Sequence, residues 1–384
     1  MPVARMYGRD RNGGAGLSSS ERQVTARCPS RRTGLVIVAA LAILVPLLLT
    51  NGAQASVPRS FFGAVPWGDF FGQDYPRLQD AKVRNARIPF HWNMIEQTRG
   101  HYNWGPTDKS VGQLALYHVR VLPFLNDTPS WVASDRTKPP LGSRKAKKAW
   151  GHFIKACIER YGRHGTYWST HPDIPKTPIT AWQIWNEPNL KNYWKGKKPQ
   201  RKYAKLVKIS DKAINRTDKH AKTVLAGLSG NPETKKMAPQ RFLKKFLRVR
   251  KVKKHFNAAA LHPYAPSIKK FKKLLRQLHK TLKRKGAGKK QLWITEMGWG
   301  SAHPEKGKPL LKGKKGQKKL LKKSFRMLLH KRKRLHIKRV YWFLWRDANP
   351  DVKTNCTFCK SSGLFHYDFS PKPSWKAFLS FSRR

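Results

Sequence analysis

The sequence predicts an α/β fold of the (β/α)8, or TIM, barrel type, and two observations carry that expectation. Eight short apolar runs recur between residues 61 and 345. Several are apolar almost throughout, as parallel strands covered on both faces must be. Between them lie longer stretches with apolar residues three and four apart on a lysine-rich background, which is the pattern of helices burying one stripe. Eight strand–helix repeats in about 330 residues suit a barrel of about 250 residues plus insertions. The rival is an open doubly wound sheet, which more often opens with a G-x-G-x-x-G loop. Here the first run is followed by GDFFGQDY.

The predicted strands are Phe61–Trp67, Val83–Trp92, Val119–Asn126, Thr180–Asn186, Thr223–Ser229, Phe256–His262, Gln291–Trp299 and Arg339–Trp345. Of the helices, 268–284 places Phe271, Leu274, Leu275, Leu278 and Leu282 on one face, and 317–331 does the same with Leu320, Leu321, Phe325, Leu328 and Leu329. Cys157 falls in a similar pattern, WGHFIKACIERYG, where a buried inert thiol is expected.

Residues 1–56 read as an N-terminal basic segment plus signal peptide, and 57–384 as the folded domain. Leu35–Leu49 is a charge-free run broken by Pro46, and AQA at Ala53–Ala55 has the form of a small-residue cleavage site. A bilayer span needs about 20 residues, so this run favours a secretory signal over an uncleaved anchor. SRRTGL at Ser30–Leu35 matches a twin-arginine export signal only in part. The expected location is therefore secreted or cell-surface associated. Cys356 and Cys359 form CTFC with no second cysteine pair or histidine pair to complete a zinc site, so a small disulfide is expected rather than a redox or metal motif. Scattered histidines and the lack of H-E-x-x-H point to no metal and no cofactor.

The chain carries 81 Lys and Arg against 20 Asp and Glu, a formal net charge of +61. The charge is concentrated in Lys195–Lys208, Lys235–Lys254, Lys269–Lys290 and Lys306–Arg339, mostly in helical patterns. Repulsion on that scale opposes compaction and suits anionic surroundings, such as an anionic cell-wall polymer or a membrane surface. Charge alone would also attract nucleic acid. No nucleic-acid-binding module is recognisable, so no specific nucleic acid is expected.

Chemistry in such barrels sits at the C-terminal ends of the strands. Those ends present Arg87, Asn126, Asn186 with Glu187, His262 with Tyr264, Glu296 and Trp345. Taken singly, each has a plain structural reading: Glu187 before Pro188 caps a turn, Arg87 pairs with a surface acid, and His262 and Tyr264 are satisfied core groups. Taken together, Glu187 after the fourth strand and Glu296 on the seventh face each other across the mouth. A carboxylate pair of that kind is the machinery of glycoside hydrolysis, one group protonating the leaving oxygen and the other attacking the sugar.

WNEPN (185–189) and ITEMGWG (294–300) resemble the two signatures of clan A glycoside hydrolases, the retaining 4/7 superfamily. RIPFHW, LHPY and WFLW are similar to its supporting motifs in the same order. The resemblance spans about residues 60–380 and is greatest to families 39 and 5, leaning to 39. It implies Glu187 as general acid/base, Glu296 as nucleophile and Asn186 on the substrate 2-hydroxyl. It further implies that Tyr264 and Arg87 hold Glu296, that His262 lines the same wall and that Trp345 floors the sugar subsite. The implied substrate is a β-linked oligo- or polysaccharide. Trp131, Trp194 and Trp299 are further candidates for outer sugar contacts. The alternative from another class is a non-catalytic or weakly catalytic barrel that binds polyanions.

Overall fold

The computed structural model describes residues 57–384. The proposed signal run, its cleavage site and Cys28 lie outside the described residues. Strands β1 (Phe62–Val65), β2 (Asn85–His91), β3 (Arg120–Asn126), β4 (Ala181–Ile184), β5 (Lys222–Ser229), β6 (Ala258–His262), β7 (Gln291–Met297) and β8 (Ile337–Phe343) form one closed barrel in sequence order. Every neighbouring pair is parallel, and β8 returns to β1 through the pairs Phe62–Val340 to Val65–Phe343. The fold is therefore the predicted barrel, and its edges are abolished by closure.

Two cores hold it. Inside the barrel, Val65, Leu122, Val224, Ala258, Ala260, Trp293 and Tyr341 pack into a plug. Outside it, the apolar stripes of the helices cover the strands. Helix Ile268–Arg284 buries Phe271, Leu275, Leu278 and Leu282, while Leu274 is only partly buried. Helix Gly313–Lys331 buries Leu321, Phe325 and Leu328. Phe325 stacks on Phe62 of β1 at 4.5 Å between ring centroids. Cys157 is buried and unpaired on helix Arg144–Tyr161. The sulfurs of Cys356 and Cys359 are bonded, with the Cα atoms 5.5 Å apart. Among the described residues, no helix is long and apolar enough to cross a membrane.

One strand boundary matters for the site. The run expected over Arg339–Trp345 begins and ends two residues earlier, at Ile337 and Phe343, where a cis peptide joins Leu344. Trp345 is consequently not a platform at the barrel mouth. It has no exposed surface and packs among Phe70, Phe365, Trp375 and Phe378. A ring with no exposed surface is no platform for a sugar at the catalytic carboxylates, and this corrects the expectation. Trp345 instead lines a separate cavity between the segments after β1 and β8. The β8 aromatic nearest the site is Phe343, which is only partly buried, with its ring 6.0 Å from that of Tyr264. Trp194 and Trp299 are likewise buried.

Candidate active site

Above the apolar plug the barrel interior turns polar, and the sequence shows why. Strands β2, β4 and β7 each place polar residues among apolar ones: Arg87, Gln183, then Thr295 and Glu296. All four are buried. A buried guanidinium must spend its donors on protein acceptors. Arg87 donates from Nε to Gln183 Oε1 (2.6 Å), from Nη1 to Glu296 Oε1 (2.7 Å) and from Nη2 to Asn186 Oδ1 (2.8 Å). Its plane lies 4.0 Å from the Phe124 ring centroid. Tyr264 donates its hydroxyl to the other Glu296 oxygen at 2.7 Å. Burial, reinforced by the Glu296 charge, pushes the Tyr264 phenol well above its ordinary range, so it remains a donor. Both Glu296 oxygens are thus held, one by a guanidinium and one by a phenol.

Glu187 lies in a different environment. The chain leaves β4 through two left-handed residues, Trp185 (φ 70°) and Glu187 (φ 37°). Non-glycine residues there cost about 1–3 kcal/mol and cluster at functional sites. The turn leaves the Glu187 carboxyl 6% exposed. Burial drives its pKa up to about 8, against the smaller opposing effects of the Arg87 charge and a hydrogen bond from Ser229.

Between the carboxylates stands His262, fully buried. Its Nδ1 is 2.8 Å from Glu187 Oε1 and 3.4 Å from Glu296 Oε2, and its Nε2 is 2.9 Å from Thr295 Oγ1. Burial, with Arg87 nearby, drives its pKa down to about 3 against the pull of Glu296, so the ring is neutral above mildly acidic pH. Gln183 Oε1 accepts from Arg87, so its amide nitrogen faces Thr295 Oγ1 (3.3 Å) and Leu225 O (2.9 Å). Thr295 Oγ1 thus bridges Gln183 and His262 Nε2, and His262 Nδ1 shares a hydrogen bond with Glu187. Gly227 makes room for this ring. A Cβ there would lie 1.9 Å from His262 Nε2.

The expected residues Arg87, Asn186, Glu187, His262, Tyr264 and Glu296 are therefore brought together, and Trp345 is not. Gln183, Thr295 and Ser229 were missed, although Gln and Thr inside apolar strand runs were a readable signal. Also missed were His91 and Asp127 at the ends of β2 and β3, where His91 Nδ1 lies 2.8 Å from Asp127 Oδ2. Tyr193, exposed on the loop after β4, has its phenol pushed up by desolvation and then by the charges of Glu187 and Glu296. Donor atoms of Glu187, His262 and Glu296 all lie within 4.8 Å of one another, close enough to ligate a cation. The set fits one poorly, because Arg87 and Tyr264 already engage both Glu296 oxygens and His262 Nδ1 is taken up by Glu187.

A closed barrel whose mouth holds two carboxyl groups this close, one gripped by an arginine and a tyrosine and one buried with a raised pKa, has the architecture of the (β/α)8 glycoside hydrolases. This chain belongs to the glycosyl hydrolase catalytic core family, whose model matches residues 162–370, more than half of the chain and both carboxylates. A curated relative, the β-xylosidase of Geobacillus stearothermophilus, is 27% identical over 128 residues, 31% of this chain and 23% of that protein. Among solved structures, a family 39 glycoside hydrolase from Bacteroides cellulosilyticus WH2 superposes with a TM-score of 0.62 at 16% identity, covering 85% of this chain and 63% of the other. A monomeric β-xylosidase from Caulobacter crescentus CB15 gives a TM-score of 0.60 at 16% identity, covering 84% and 68%. Likeness at these identities is likeness of fold. The chain spans about a quarter of the curated relative and less than two thirds of the family 39 enzyme.

Proposed function

We propose that this chain is a retaining glycoside hydrolase acting on a β-linked saccharide, with Glu187 as general acid/base and Glu296 as nucleophile. The observation that carries the reading is the carboxyl pair itself. Its nearest donor atoms are within 4.8 Å, and a separation of about 5–5.5 Å belongs to retaining enzymes, which leave no room for a water between the groups. In the first step protonated Glu187 gives its proton to the glycosidic oxygen while Glu296 attacks the anomeric carbon. The C–O bond to the leaving group breaks and an ester to Glu296 forms. In the second, Glu187, now ionised, takes a proton from water as that water attacks the same carbon and releases Glu296. Arg87 and Tyr264 hold and orient Glu296. Asn186, whose carbonyl oxygen is held by Arg87, keeps its amide nitrogen for the sugar 2-hydroxyl. His262 positions Glu187. Aryl β-xylosides are the first probes, because two of the similar proteins are β-xylosidases. The test is Glu296→Ala, expected to abolish turnover, beside Glu187→Ala, in which azide should restore turnover of an activated aryl glycoside. Wild-type rates in both variants would refute the assignment.

A second element of the reading concerns the charge. Between residues 234 and 346 the only acids are Glu296 and Glu305. Helices Ile268–Arg284 and Gly313–Lys331 contain none. A groove of about 1300 Å³ along the first of these is lined by Lys272, Arg276, Lys280, Lys283 and Arg334 among others. Among the described residues, the large exposed apolar side chains are Phe71, Met94, Leu116, Tyr193 and Tyr367, none of them on either helix. A concave basic face without apolar anchors suits a linear acidic polymer better than a membrane. We therefore assign it to retention on anionic wall material, separate from catalysis. The same proposal has the chain exported through the Leu35–Leu49 run, which N-terminal sequencing of the mature protein tests.

A further inference from the structure

A second cavity lies at the same end of the barrel, between the segments that follow β1 and β8, and the catalytic groups do not use it. Its volume is about 130 Å³, and its lining includes Trp67, Phe71, Asp74, Arg346, Asn349 and Tyr367. Strands β1 and β8 link its walls to the active site. Val65, two residues before Trp67, pairs with Phe343, whose ring faces that of Tyr264. Tyr264 in turn holds Glu296.

Three features distinguish this cavity from a chance dent. Two of the five large apolar side chains exposed among the described residues, Phe71 (54%) and Tyr367 (45%), flank it. Exposed aromatic rings beside a cleft gain little from folding and present flat faces to a ligand. Next, both rings are pre-positioned. The Arg346 guanidinium lies 5.2 Å from the Phe71 ring centroid and 5.3 Å from that of Tyr367. Its Nε donates to Asp74 Oδ2 (3.4 Å) and its Nη1 to the Tyr367 carbonyl (3.3 Å). Among the described residues, the other three of the five guanidinium N–H groups meet no protein acceptor. Third, Asp74 is 1% exposed, yet its Oδ1 has no hydrogen-bond partner. A buried acceptor left unpaired costs about 1–3 kcal/mol, which a ligand hydroxyl would recover.

Unpaired donors, an unpaired acceptor and flanking aromatic faces are what a sugar ring needs, with hydroxyls around its edge and C–H groups on its faces. The charge selects the kind of sugar. In a chain of net charge +61 this cavity gathers three carboxylates, Asp69, Asp74 and Asp347, against Arg346 and the buried Lys372 that pairs with Asp347 at 2.6 Å, which leaves one negative charge in excess. A uronate or sulfated sugar would meet that excess of negative charge, whereas a neutral ring would not. The volume equals about four waters, so one ring partly inserted is the limit.

We propose that this cavity is a distal subsite for a neutral pyranose, with Phe71 and Tyr367 as its stacking residues and Asp74, Arg346 and Asn349 as its hydrogen-bonding groups. The enzyme would thus act on neutral chains of at least two sugars while its outer helices hold an acidic matrix. The inference rests on the glycosidase reading for its consequence but not for its existence. The experiment compares aryl β-glycosides of one and of two sugars, the xyloside and xylobioside first, in wild type and in the Phe71→Ala/Tyr367→Ala double variant. The ratio of kcat/KM for the longer substrate to that for the shorter should be high in wild type. It should fall about tenfold in the variant, the loss expected for two stacking contacts. A ratio unchanged by the substitutions, or no gain with length in wild type, overturns the subsite. If neither glycoside is turned over, the glycosidase reading is what has failed. The subsite is then read by titrating xylobiose and galacturonic acid disaccharide into Glu296→Ala protein. Binding of the neutral sugar that Phe71→Ala/Tyr367→Ala weakens supports it, and preference for the acidic one refutes it. Thermal melts confirm that the variants are folded.

Discussion

The most quantitative consequence of the structure concerns the proton on Glu187. An ordinary glutamic acid, with a pKa near 4.3, carries its proton in only about 0.2% of molecules at pH 7. With the pKa driven up to about 8 by burial, Glu187 is roughly nine-tenths protonated at that pH, a gain of several hundredfold in the form that can act as an acid. The kcat/KM of the wild type should therefore hold through neutral pH and fall about tenfold per unit above about 8. Glu187→Gln keeps the shape but cannot titrate. For a substrate with a poor leaving group it should lose about 10²–10⁴ in rate. For a 2,4-dinitrophenyl glycoside, whose leaving group needs no proton, formation of the glycosyl-enzyme should lose far less and show no alkaline limb. Stability supplies an independent readout. The folded-state pKa is raised, so the wild type loses stability as pH climbs from about 4.3 to about 8, while the amide does not. Glu187→Gln should accordingly match the wild type's stability near pH 4 and exceed it by a few kcal/mol at pH 8 to 9. A limb near pH 8 that persists in the variant, with parallel stability curves, would refute the assignment of that proton to Glu187.

Two further outcomes follow from other parts of the molecule. Gly227→Ala places a methyl where His262 Nε2 now lies, so the ring must shift. We expect a loss of about 1–3 kcal/mol in a denaturant melt, together with a lower kcat at unchanged active-site composition. Binding to immobilised polygalacturonate should be lost steeply between low and moderate salt, and replacing Lys272, Arg276 and Lys280 by Gln should weaken it while leaving turnover of small aryl glycosides intact. Retention that is independent of salt would contradict the basic-groove reading.

How far the sequence carried this account depends on the kind of signal. The barrel was legible because strand–helix alternation repeats eight times, and a repeated pattern survives local errors of one or two residues. The carboxylate pair was legible because its members sit at strand ends, where position alone implies a shared mouth. Trp345 was misplaced for a local reason: a two-residue shift of β8 carries it past the last inward position and into the helix layer. Gln183 and Thr295 were overlooked because each stands in a strand run dominated by Trp and Ile. Their importance appears only when the bonds of Arg87 and His262 are followed outward. The left-handed backbone at Trp185 and Glu187 left no trace in the sequence, since neither is a glycine.

The central claim, that Glu296 forms the covalent bond to the sugar, is tested most directly by trapping that intermediate. A 2-deoxy-2-fluoro β-glycoside with an activated leaving group should inactivate the enzyme, and mass spectrometry of a proteolytic digest should find one added sugar on the peptide containing Glu296. A label on any other residue, or release of product with inverted anomeric configuration and no label at all, would contradict the account.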